Sequence, residues 1–168
     1  VWLGGMEKML DAHGGEEKSV EGMEEVYLGG WMAVRALFTG CYPALGHLLQ
    51  NHYSARFSAH QGACSAILSP RLLRHHHTAT QPQQKRISEI FGRPDVPASK
   101  LVAQLVQKLP GVPKDHEDVG VSMEELEKFA GWMFETHGER LNKLSPRKFE
   151  SGRELFEVLA FPLEEILR

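Results

Sequence analysis

Apolar residues in this chain recur at intervals of three and four, and nowhere do they alternate with polar ones over a useful length. A helix repeats every 3.6 residues and a strand every two, so this pattern excludes a sheet-based core and predicts an all-α fold. Prolines and glycines cut the pattern into about six helices, read as one compact domain over residues 1–168.

A first helix is expected in "LGGMEKMLDA". A second runs from about Glu21 to Gly40, where Tyr27, Trp31, Val34 and Phe38 make one broad apolar stripe. "ALGHLLQ" reads as a short helical turn, and "SARFSAHQGACSAIL" as a helix of small residues. An irregular loop rich in proline, histidine and glutamine is expected at about 69–97, with "KRISEIF" helical inside it. "ASKLVAQLVQKL" places Leu101, Val102, Leu105, Val106 and Leu109 on one face, and "PGVPKDHEDVG" is a loop. Ser122 and Glu125 form a capping box, opening a helix on which Leu126, Ala130, Met133 and His137 line up. Ser145–Pro146 is expected to start the last helix, burying Phe149, Gly152, Phe156 and Leu159.

A chain of 168 residues is long enough to bury a core without metals or disulfides. Its two cysteines, Cys41 and Cys64, have no metal or redox spacing, which points to a reducing, intracellular and cytoplasmic setting. No apolar run reaches membrane-span length, and no signal peptide is visible. A net charge of −3 conceals two blocks: residues 1–30 hold two lysines against seven acids, and residues 51–100 hold seven basic residues against two acids. Such blocks steer partners. The expected partner is another protein chain or a second copy of this one. The overall acidity and the lack of a recognition-helix signature argue against nucleic acid, although Arg56, Arg71, Arg74, Lys85, Arg86 and Arg93 cluster along the basic block.

His137 is the candidate functional residue, an imidazole on the apolar face of a helix. Around it, "LEKFAGWMFETHGERLNKLSPRKFESGRELFEVLA" resembles the globin segment that runs from the proximal-histidine helix into the next one. Upstream, "GGWMAVRALFTGCYPALGHLL" is similar to the globin helix that ends at a proline corner, with Leu48–Leu49 where globins place phenylalanine. The resemblance implies a haem-binding protein for oxygen or another small gas, with His137 as axial iron ligand. It also implies His60 as a distal group beside Cys64, and Met133, Leu141 and Phe149 as pocket walls. A globin supplies a further helix after this point, so the seam after Leu159 is expected to stand open as a docking surface.

Two other ligand readings arise from the residues themselves. Asp115, Glu117, Asp118 and Glu125 resemble a degenerate EF-hand calcium loop over 114–125, with Lys114 where the first aspartate belongs. His75, His76 and His77 are adjacent, and a loop could turn two of them onto one metal ion. Enzymatic motifs are missing: there is no nucleophile elbow or phosphate loop, and Ser58, His60 and Cys64 are not a triad. The remaining reading is a helical interaction module or complex subunit without a cofactor.

Overall fold

The structure is a computed structural model that describes residues 20–40 and 44–168. The described residues form eight α-helices and no strand, as the periodicity requires. The chain divides into two units, Val1–Pro43 and Ala44–Arg168, where the sequence suggested one continuous domain. The helix expected in "LGGMEKMLDA" and the Tyr42–Pro43 corner lie outside the described residues.

In the first unit, α1 spans Val20–Ala36 and a single 3-10 turn follows at Leu37–Thr39. Gly40 closes it with φ +93°, a left-handed conformation that a side chain would strain. The Thr39 hydroxyl donates to the Ala36 carbonyl at 2.8 Å, satisfying one of the helix's last acceptors.

In the second unit, α2 (Leu45–Phe57), α3 (Gln61–His75) and α4 (Gln81–Ile90) are followed by α5 (Ala98–Lys108). The long α6 (Met123–Leu144) and the shorter α7 (Gly152–Leu159) and α8 (Leu163–Leu167) complete it. Helix α3 is central and packs against α2, α5, α7 and α8. The main core gathers Leu49 and Tyr53 from α2, Leu68 from α3, Phe129 and Met133 from α6, and Leu155 from α7. Leu163 and Ile166 of α8 bury against Ala103 of α5, so the seam expected after Leu159 is closed.

Three boundaries depart from the sequence reading, each for a local reason. The small-residue stretch is two helices, because Ser58 adopts φ +52° and ends α2. The loop expected at 69–97 is largely helical, since α3 runs through a buried Pro70 and α4 follows after a short turn. Ser145 ends α6 instead of starting the next helix: its hydroxyl donates to the Arg147 carbonyl. The N-cap of α7 is Ser151, whose hydroxyl accepts the Glu154 N–H at 3.1 Å. Between them, the Asn142 amide accepts the Phe149 N–H at 2.8 Å and donates to the Phe149 carbonyl at 2.9 Å, holding the chain as it reverses.

Buried polar groups tie this unit together. Arg71, only 1% exposed, donates to the carbonyls of Ile67 (2.6 Å) and Phe161 (2.9 Å) and pairs with Asp115. His116 also lies in the core. The Leu159 carbonyl, 2.8 Å from Nε2, can only accept, so Nε2 carries the proton and Nδ1 accepts the Tyr53 hydroxyl at 2.8 Å. Burial pushes the His116 pKa down to about 4, keeping the ring neutral. The loop expected at "PGVPKDHEDVG" is therefore anchored through its histidine to α2 and the end of α7.

Candidate functional site

Of the residues that would build a haem pocket, Cys64, Met133, Leu141 and Phe149 share the main core, while His60 is exposed and His137 is half-buried. His137 is half-buried on α6, its ring 4.3 Å from that of His52 on α2 and 5.3 Å from that of Trp132. The two imidazoles are tilted by 33°, close to stacked, rather than aimed at a common point. Burial and then the neighbouring His137 and Arg140 lower the pKa of His52. Beside His137 lies a depression of 530 Å³ lined by Thr136, His137, Glu139, Arg140, Lys143 and Leu144. All six belong to α6, so this is an open groove along one charged helix face, not a slot between two apolar walls.

The intended walls are elsewhere. Met133 and Leu141 are fully buried within the packed core, and Phe149 stacks on His75 at 4.5 Å and 11°. Cys64 is also fully buried, and its thiol pKa is raised by that burial. His60 is exposed and serves as the N-cap of α3, its Nδ1 accepting the Gly62 N–H at 3.1 Å. A planar porphyrin needs a ligand and two apolar walls facing one space, and the depression beside His137 is lined by α6 alone.

Three of the four carboxylates of the calcium reading are engaged within the protein. Asp115 turns inward to Arg71, while the Asp118 carboxylate accepts the N–H groups of Lys114 (2.8 Å) and Asp115 (3.1 Å), which lowers its pKa. Glu125 is committed to the capping box, accepting the Ser122 N–H at 3.0 Å, and Glu117 is exposed. No three histidine, cysteine, aspartate or glutamate side chains among the described residues are placed to share a metal ion.

The histidine run is not a surface loop either. His75 and His76 are buried, and His76 Nε2 donates to the Ser145 hydroxyl at 2.9 Å. Burial lowers the pKa of both, that of His76 to about 4. Buried Arg71 and His75 were readable in principle: with Cys64, Ile67, Leu68 and Leu72 they share one face of α3 at helical spacing. The proline at position 70 hid that face.

The feature that stands out is α1. Its apolar stripe forms as expected, but it is open: Tyr27 is 79% exposed, Trp31 51% and Phe38 86%. Val20, Met23 and Val34 lie on the same stripe and are exposed too, with Leu28 and Met32 along one edge. Isolated apolar residues on a surface are ordinary, but a contiguous stripe over five turns of helix is not. The Arg35 guanidinium lies over the Trp31 ring, 5.1 Å from its centroid, covering one end of the stripe's centre. No helix among the described residues is long and apolar enough to cross a membrane.

Compared with protein-family models, curated proteins and solved structures, the chain matches none. The functional reading therefore rests on the residues alone.

Proposed function

We propose that this chain is a helical protein–protein interaction module that engages its partner through α1. The supporting observation is the open apolar stripe from Val20 to Phe38, carried on α1 and its closing 3-10 turn, whereas among the described residues outside it the exposed large apolar side chains are Ile90, Met123 and Trp132, on two helices. Burying a large apolar side chain is worth about 1.5–3 kcal/mol. A stripe of six such residues at helical spacing is the arrangement by which one helix docks against another or into a groove.

Site-specific photocrosslinking in cells tests this reading. A benzophenone amino acid at Tyr27 or Phe38 should trap a polypeptide, whereas the same group at exposed Lys148 on the second unit should not. If positions 27 and 38 trap no more protein than position 148, the reading fails.

A further inference from the structure

We infer that the partner is a second copy of this chain, with the two α1 helices paired antiparallel. This deepens the interaction reading and rests on it. What singles out the partner is the placement of charge along the stripe. Glu24 and Arg35 are separated by eleven residues, which is three turns at 3.6 residues per turn, so both flank the stripe on the same side. Glu24 lies near the start of the helix and Arg35 in its last turn.

Antiparallel pairing about a twofold axis places each helix's Glu24 level with the other's Arg35, twice over. Parallel pairing about a twofold axis would leave the two charged flanks on opposite sides of the seam, so Glu24 and Arg35 would not meet. The helix dipoles favour the same choice, since antiparallel dipoles attract side by side. The surface is thus complementary to itself in one orientation only.

The apolar pattern and backbone fit that axis. The midpoint between Glu24 and Arg35 falls between Gly29 and Gly30, at the edge of the stripe. A Cβ built on Gly30 would meet nothing within 4 Å, so the backbone is open to a close neighbour there. Within one residue of the same register, Val20 at one end of the stripe comes level with Phe38 at the other, and Tyr27 of each helix with Trp31 of its partner. A lipid surface is a poorer occupant, because α1 carries Glu21, Glu24 and Glu25 against a single basic residue, Arg35. A helix of 17 residues is roughly 25 Å long, so the stripe alone makes an interface near the small end of specific ones, about 1,000 Å². The dimer therefore forms and dissociates with concentration.

Sedimentation velocity on the full chain tests this over a wide concentration series. The expected result is a reversible shift from the 18.9 kDa monomer to twice that mass. Glu24→Arg and Arg35→Glu should each weaken association roughly tenfold, since each turns two attractions into two repulsions. The double variant Glu24→Arg/Arg35→Glu should restore it, because the swapped charges again meet their opposites. Circular dichroism of each variant checks that helix content is unchanged.

A chain that stays monomeric at every concentration overturns the inference, and so does a dimer whose affinity the single variants leave untouched. Co-sedimentation with anionic or zwitterionic vesicles by a chain that remains monomeric overturns it in favour of a lipid surface. Crosslinking from Tyr27 to a different polypeptide, with the purified chain monomeric, overturns self-pairing and leaves the interaction reading standing.

Discussion

Helices α1 and α6 carry closely similar text, Met-Glu-Glu near the start and Gly-Trp-Met further along; their first methionines and tryptophans are all exposed, and they part at the last methionine. In α6 the methionine of that triplet, Met133, is fully buried, while its counterpart Met32 in α1 is 54% exposed. The glycines differ in the same sense. Gly131 lies under α7, where a Cβ added to Gly152 would sit 2.8 Å from the Gly131 Cα, so the two backbones nearly touch. A Cβ added to Gly30, unlike one added to Gly152, would meet nothing within 4 Å. Both helices are amphipathic by their own residues; what separates them is whether another part of the chain arrives to cover the apolar face. A local pattern thus specifies a helix and its sticky side, and only the remainder of the chain decides whether that side is core or surface.

The contrast can be broken most directly at the two methionines. Met133→Ala should destabilise the second unit by about 2–5 kcal/mol, the range for emptying a packed core site. Met32→Ala should change unfolding by no more than about 0.5 kcal/mol, as at an ordinary surface position. Chemical denaturation of both variants decides it, and equal effects would mean that the stripe on α1 is covered within the chain.

Acid should separate the two regions next. His116 has an ordinary pKa of 6.5 unfolded and about 4 folded. Its neutral ring therefore contributes in full above pH 6.5, and that contribution is lost as the pH falls through 4. The loss is on the order of 2–3 kcal/mol for this one group. No histidine lies in residues 20–40, so α1 has no matching transition. Unfolding midpoints measured between neutral pH and pH 4 should fall in wild type and fall less in His116→Asn, which starts from a lower value.

The smallest effect sharpens the comparison at the glycines. Gly152→Ala should cost about 1–3 kcal/mol, because the new methyl meets backbone that cannot rotate away. Gly30→Ala enters open space in a helix and should stabilise it by up to about 1 kcal/mol. Thermal melts of the two single variants should move in opposite directions.

The fold class, the capping box of α6, the stripe on α1 and the amphipathic face of α5 were all legible from residue spacing. These are local properties, and local periodicity records them. The partner of a buried polar group is not local. His137 and His116 look alike as single letters, yet one rests against His52 and Trp132 at the edge of the fold while the other is locked between Tyr53 and Leu159. The spacing of His137 on α6 marked it as inward-facing, and the packing of α2 then set it among aromatic rings at the periphery. Proline and serine misled in a related way. Pro70 lies inside α3 without ending it, and Ser145 lost its capping role to Ser151, which has a glutamate three residues on.

The guanidinium of Arg71 has a consequence for the order of events during synthesis. Its acceptors include the carbonyl of Phe161, ninety residues further along the chain. While the nascent polypeptide is still emerging, α3 must carry a cation on its inward face without that bond, and α8 is not yet present to close over α5. The second unit can therefore reach its final packing only after α8 has been made, which leaves α1, made earlier, displaying its apolar stripe to a neighbouring nascent chain before the second unit has taken shape.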